Sequence, residues 1–256
     1  IVTAHSGDKH LVSEKFINTT EDENGRVKTI DFENEKEFNF AFDVVDAIAK
    51  KSPDKLAMLH IDKNKVERRF TFNDMKRASA QSANYFKALG IKKGDRVMLV
   101  LKRHYQFWFA VLGLHKLGAI VIPATHQLQV HDLEYRFNAA GVSAIVCTSD
   151  DGIAAHVDEA QKTCPTLTTK ILVGEKREGW NNFDEEFPLY SAHYYRTKET
   201  PCGDDLMLMF FTSGTTGYPK IAAHSYTYPL GHYITAKYWH GVSEHGLHFT
   251  ISDTGW

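Results

Sequence analysis

From Asn39 onward the apolar positions fall into two alternating periods. Phe42, Val45 and Ala49 share one face of a predicted helix that stops near Ser52-Pro53, because proline disfavours helical backbone in the residue before it. A short strand is predicted over Ala57 to Ile61. Met75, Ala78, Ala83, Phe86 and Leu89 then recur at helical spacing, with Asn73 placed to cap the helix and Gly90 to close it. Val97 to Leu101 is a continuous apolar run, the pattern of a strand covered on both faces.

The rhythm repeats. The pattern predicts a helix over His104 to Leu117 closed by Gly118, a strand over Ala119 to Ile122 closed by Pro123, and a helix over His131 to Ala140 closed by Gly141. It continues with a strand over Ala144 to Thr148, a helix over about Gly152 to Lys162 and a strand over Lys170 to Val173. Strands and helices alternating at this spacing predict βαβ units and an α/β fold, a doubly wound, largely parallel sheet with flanking helices. Two stretches stand outside the rhythm. Residues 1–38 are polar, carry the acidic cluster Glu21, Asp22, Glu23 and then Asp31, Glu33, Glu35 and Glu37, and read as an extension draped over a later core. Residues 175–205 lack a period and read as a surface excursion, with Trp180, Phe183 and Phe187 anchoring it.

Composition narrows the function classes. The chain has 256 residues, 43% hydrophobic and 24% charged, a globular balance that is neither disordered nor membrane-embedded. A net charge of −2 supplies no broad positive field, which argues against nucleic acid as a partner and leaves small anions, which need only a local site. The longest apolar stretch, Phe107 to Leu114, is short of the roughly 20 residues a membrane span needs. Three cysteines, Cys147, Cys164 and Cys202, separated by 17 and 38 residues, match neither a zinc ribbon nor a redox pair. They fit a reducing compartment, with Cys147 as a buried small hydrophobe. His240, His245 and His248 with Glu244 follow no strong zinc spacing and read as structural or solvated.

One segment carries chemistry. The apolar run Leu206 to Phe211 leads into Thr212-Ser213-Gly214-Thr215-Thr216-Gly217-Tyr218-Pro219-Lys220, followed by a predicted helix capped by Ser225 or Thr227. Its hydroxyls, its ammonium and its backbone N–H groups suit a polyanion, and Gly214 and Gly217 permit close backbone approach. It is not a Walker A loop, because Pro219 stands where that motif requires glycine. By composition alone the stretch reads equally well as a polar surface turn.

As it stands, Thr212 to Lys220 resembles the phosphate-binding signature of the adenylate-forming superfamily, which includes acyl-CoA synthetases, firefly luciferase and peptide-synthetase adenylation domains. Asn39-Phe40-Ala41-Phe42-Asp43-Val44-Val45-Asp46, His224-Ser225-Tyr226 and Ile251-Ser252-Asp253-Thr254-Gly255-Trp256 look like the medium-chain acyl-CoA synthetase branch, which shares much with acetyl-CoA synthetases. The resemblance covers about residues 38–256, so residues 39–256 are expected to form the first part of an adenylation domain.

The resemblance implies a ligase that joins a small carboxylic acid to coenzyme A at the expense of ATP with Mg2+, through an acyl-adenylate and pyrophosphate. Thr212, Ser213, Gly214, Thr215, Thr216, Gly217 and Lys220 would hold the ATP phosphates, with Lys220 compensating charge on departing pyrophosphate; Gln127 would contact coenzyme A. Gly255 and Trp256 would border the acyl pocket, and no resident protein metal site is expected. The family's later elements, including its main catalytic lysine, are absent. The chain is therefore expected to be the N-terminal portion of a larger enzyme, inactive alone, and cytoplasmic, or of the mitochondrial matrix had a transit segment been removed. Two alternatives stay open: a non-catalytic nucleotide-binding or interaction module, and an adenylating enzyme with another acyl acceptor.

Overall fold

The computed structural model describes residues 15–214, 217–243, 246–249 and 252–255. Its centre is a seven-stranded sheet. In chain order the structure has strands β1 (Ile17–Glu21), β2 (Val27–Phe32), β3 (Leu56–Ile61), β4 (Glu67–Thr71), β5 (Arg96–Val100), β6 (Ile120–Pro123), β7 (Ala144–Thr148), β8 (Thr169–Val173), β9 (Asn181–Asn182), β10 (Leu206–Thr212) and β11 (Lys220–Ser225). The α-helices are α1 (Ala47–Lys51), α2 (Phe72–Ala88), α3 (Gln106–Leu117), α4 (Val130–Ala140), α5 (Ile153–Gln161), α6 (Phe183–Glu186) and α7 (Tyr228–Ile234). The main sheet has the order β11-β10-β6-β5-β7-β8-β9, with every adjacent pair parallel except the antiparallel β10-β11 edge. The doubly wound, largely parallel sheet expected from the rhythm is present.

Strand pleating divides the apolar runs between two cores. Val97 and Leu99 of β5 point to the side occupied by α2 and α3, where they meet Tyr85, Phe86, Ala110 and Leu114. Met98 and Val100 point to the opposite side, toward Leu133 and Phe137 of α4 and Val157 of α5. A two-residue period with both faces buried is why β5 reads as a continuous apolar run. Helices α2 and α3 lie so close that a Cβ on Gly113 would stand 2.7 Å from the Ser82 Cβ. Cys147 lies within the second core, and burial pushes its thiol up, away from reactivity.

Several local expectations change. The cap of α2 is Thr71, two residues before Asn73: its side chain accepts from the Asp74 N–H while the Asp74 carboxylate accepts from the Thr71 N–H, a capping box. The strand at 56–61 stays out of the main sheet and pairs antiparallel with β4. The polar extension contains the β1-β2 hairpin, and Phe16, Ile17 and Phe38 pack with Leu230 of α7, so the draping is real but partly strand-built. The helix expected behind Ser225 or Thr227 is α7, with Thr227 at its N-cap although that side chain makes no cap hydrogen bond; the intervening residues 220–225 form a strand, β11, that was not expected. Ile221 and Ala223 are exposed on that strand and Ala222 is half-buried, so no apolar alternation marks it; its pairing with β10 does.

The excursion at 175–205 is anchored by its aromatics. Phe183 is buried and stacks on Phe187 with ring centroids 4.6 Å apart, and the Trp180 indole N–H donates to Asp158 at 3.0 Å. Buried Asn39 ties this segment to α3 by donating to the carbonyls of Pro201 at 2.8 Å and His115 at 3.2 Å. Among the described residues no helix is long and apolar enough to cross a membrane.

Candidate functional site

The chain reverses its winding around β5. After β5 it passes to α3 on one side of the sheet, whereas after the neighbouring β6 and β7 it passes to α4 and α5 on the other. Such a switch opens a crevice at the carboxyl ends of the strands, the usual ligand position in an open α/β sheet. Here the crevice is a cavity of about 470 Å³ lined by Arg103, Thr125, His126, Gln127, Ser252 and Asp253. Gln127 therefore sits in a polar pocket beside the segment 252–255. That segment presses on the end of β6, since a Cβ on Gly255 would stand 2.3 Å from the Ala124 carbonyl carbon. The Thr254 hydroxyl donates to the Lys102 carbonyl.

Lysine, histidine and carboxylate side chains cluster beside the crevice. His126 lies between two carboxylates, Nε2 at 3.6 Å from Asp151 and Nδ1 at 3.7 Å from Asp253, and its buried Nδ1 finds no hydrogen-bond partner. Lys102 donates to Asp151 at 2.6 Å, and this hydrogen bond holds the Asp151 carboxyl below the usual carboxylate range. His104 is paired through Nε2 with the Thr148 hydroxyl at 2.8 Å; burial lowers its basicity, with Asp150 pulling the other way. Sequence reasoning missed this cluster. Its signal is the placement of Lys102, Arg103 and His104 after β5, His126 after β6, and Asp150 and Asp151 after β7.

The glycine-rich loop lies at the same edge of the sheet, because β10 runs parallel beside β6. Thr212 ends β10 and faces Lys220 at the start of β11, so both stand at the neck of a hairpin loop. The Thr212 hydroxyl donates to the Lys220 carbonyl at 3.4 Å. Across the neck a Cβ on Gly214 would lie 2.1 Å from the Tyr218 carbonyl oxygen, which is why only glycine fits there. Gly217 has a φ of +93°, the left-handed region that favours glycine. Thr212, Ser213 and Lys220 are exposed at this neck. Thr215 and Thr216 lie outside the described residues. The structure therefore brings Thr212, Ser213, Gly214, Gly217 and Lys220 together, and puts Gln127 in the separate crevice after the adjacent strand. Hydroxyls, free-facing backbone and an ammonium form a donor set of the kind a polyphosphate requires.

A family profile for AMP-binding enzymes matches residues 45–251, a span that contains both the glycine-rich loop and Gln127. The chain belongs to the AMP-binding enzyme family. It is 35% identical over 227 residues to the mitochondrial acyl-coenzyme A synthetase ACSM5 of Rattus norvegicus, covering 86% of the chain and 39% of that relative. It is 34% identical over 227 residues to the mitochondrial acyl-coenzyme A synthetase ACSM3 of Homo sapiens, covering 86% and 38%. The chain thus spans about two-fifths of the length of these curated relatives. Its fold is shared with a Brucella canis acyl-CoA synthetase, at a TM-score of 0.77 and 21% identity over 88% of the chain and 40% of that structure. The anthranilate CoA ligase AuaEII, solved with anthranoyl-AMP, matches at a TM-score of 0.66 and 23% identity, over 80% and 37%.

Other expected roles resolve locally. His224 packs against Tyr228, ring centroids 4.0 Å apart, and against Phe210 at 5.8 Å. His240 and His248 face each other at 5.8 Å, while Glu244 and His245 lie outside the described residues. Among the described residues no group of three or more His, Cys, Asp and Glu side chains could hold a metal ion. Trp256 also lies outside them.

Proposed function

We propose that this chain is the phosphate-binding N-terminal portion of an AMP-forming acyl-CoA synthetase, which joins a short- or medium-chain carboxylate to coenzyme A at the expense of ATP. The observation that carries the reading is the loop 212–220, a hydroxyl-glycine-lysine hairpin at the carboxyl edge of a parallel sheet, inside the span that matches AMP-binding enzymes. The acyl-coenzyme A synthetase relatives support the choice of reaction.

The chemistry asks little of general bases. A carboxylic acid with a pKa of about 4 to 5 is already an anionic nucleophile at neutral pH. The protein must align two anions that repel each other and take up charge on the departing pyrophosphate. In this reading Thr212, Ser213, Gly214, Thr215, Thr216 and Gly217 hold the β and γ phosphates, and the Lys220 ammonium faces the charge that develops as pyrophosphate leaves. Gln127, in the adjacent crevice, contacts coenzyme A. The Mg2+ of this reading arrives on the triphosphate, where it neutralises phosphate oxygens. Residues 39–256 form the first part of the adenylation domain, and a mitochondrial compartment, which the relatives carry in their names, is favoured for the protein.

Calorimetric titration of the chain with MgATP and with AMP, in wild type and Lys220→Ala, tests the assignment. The expected result is triphosphate binding that depends on Lys220 and AMP binding that does not. Equal effects on both ligands would remove Lys220 from the phosphates. Absence of ATP-dependent, carboxylate-dependent acyl-CoA formation by the full-length protein would turn the reading toward a non-catalytic nucleotide-binding module.

A further inference from the structure

The β10-β11 hairpin runs on past the rung it shares with β6, with Met209 and Phe211 packed against the core and Ser213, Gly217 and Tyr218 exposed beyond them. Strand β10 meets β6 at Leu208↔Val121, and its residues Met209 to Thr212 run on paired with β11, the edge of the sheet. At strand rise those four residues carry the loop about 13 Å past the last shared rung. Core packing by Met209 and Phe211 holds the strand itself, which leaves the loop beyond Thr212 to be ordered by other contacts. An anion site at its tip needs the donors fixed in advance, since each must be in place before the phosphate arrives.

Helix α4 supplies the brace. The Tyr135 hydroxyl donates to the Pro219 carbonyl at 2.8 Å, and the Tyr135 ring stacks on Tyr218 with centroids 4.9 Å apart and planes at 30°. The edge of the same ring meets Phe211 of β10 at 6.3 Å, and the Arg136 guanidinium lies over the Phe211 ring at 5.1 Å. Pro219 C=O and Lys220 N–H belong to one planar peptide unit, so gripping the carbonyl also fixes the backbone from which the Lys220 side chain leaves. Tyr218 is 68% exposed. Because α4 begins three residues after Gln127, the helix that grips the loop also leads directly out of the crevice.

We propose that Tyr135 is a positioning residue for the phosphate-binding loop, setting the neck at Tyr218-Pro219 so that Lys220 and the loop backbone are presented to a triphosphate. This rests on the phosphate-binding reading of the loop. Tyr135 itself acts through the loop, by one hydrogen bond and one stacked ring.

The test uses the whole chain, with Mg-tripolyphosphate as the probe in calorimetry and amide exchange measured without ligand. Tyr135→Phe should weaken probe binding about three- to tenfold, the scale of one net hydrogen bond. Tyr135→Ala, which also removes the stack, should weaken it further. Exchange should quicken at Gly217, Tyr218 and Lys220 while β5 stays protected and the denaturation midpoint of Tyr135→Phe is unchanged. A midpoint that falls with exchange quickening throughout α4 and β5 would make Tyr135 a structural residue and overturn the proposal. So would unchanged probe affinity in Tyr135→Ala while Lys220→Ala loses binding, a result that leaves the phosphate-binding reading standing. Wild-type binding that ignores Lys220→Ala would instead sink the phosphate-binding reading, and this inference with it.

Discussion

Val97 to Val100 in β5 and Phe210 to Thr212 in β10 are strand residues of one sheet held by opposite means. The β5 side chains are sealed between two helical layers, and both neighbours in the sheet pair with them. The loop end of β10 has one strand partner, and its half-buried Phe211 packs on the core and against Tyr135 and Arg136 of α4. Burial makes the first region stable and chemically silent, while the second keeps hydroxyls, an ammonium and glycine backbone in reach of solvent. The contrast teaches that the residues that stabilise the fold and those that present donors to solvent are separate here. Perturbing the buried region should cost folding energy, and perturbing the hairpin should cost affinity.

The sharpest way to break that separation is the buried ion pair behind α3. Lys116 is 1% exposed and donates to Asp46 at 2.8 Å. Lys116→Ala strands the Asp46 carboxylate, and we expect a loss of about 3–5 kcal/mol in urea denaturation. Lys116→Met with Asp46→Leu should recover much of it. A loss below about 1 kcal/mol would mean that water reaches Asp46 freely.

Second, burial pushes the His115 imidazole down to about 3. In the unfolded chain it takes a proton below pH about 6.5, so between those limits the unfolded state binds more protons and stability falls as pH falls. Above about pH 6.5 both states are neutral and this contribution does not vary. From pH 6.5 to 5 we expect wild type to lose about 2 kcal/mol more than His115→Phe. Parallel pH profiles for the two proteins would contradict this.

On the hairpin side the signs reverse. Lys220→Ala should reduce triphosphate affinity about tenfold or more, the worth of a charge-assisted contact, while stability stays within about 0.5 kcal/mol. A large drop in stability with unchanged binding would erase the distinction between the regions. The smallest effect concerns the start of α2: Thr71→Ala should cost about 1 kcal/mol and Asn73→Ala less than about 0.5 kcal/mol. Thermal denaturation of the two variants checks the order.

The Asn73 case shows where sequence reading slips. Asn73 and Thr71 are both good cap residues, and Asp74 distinguishes them by standing three positions after Thr71. The N-terminal hairpin had a signal that went unused, Asn24-Gly25 between two short runs containing Thr and Ile. Its mostly exposed strands lack the apolar alternation that reveals a half-buried sheet. Strand β11 was hidden differently, since its register is set by antiparallel pairing with β10 across a glycine-rich loop. Of the candidate site, the donor types and glycines of 212–220 were legible, because phosphate chemistry limits which residues can serve. Tyr135 and the cluster of His126, Asp151 and Asp253 were not, since their meaning lies in contacts across the fold.

By itself the sequence determined the alternation of strands and helices, the burial of β5 to β8 and the chemistry of the loop, all of which are written in local period and residue type. Tertiary structure alone decided the strand order with its switch at β5, the antiparallel edge at β11, and the grip of Tyr135 on a carbonyl 84 residues away. The physical reason is that periodicity reports which side of an element is apolar, whereas the partner each side meets is chosen by packing among segments distant in the chain.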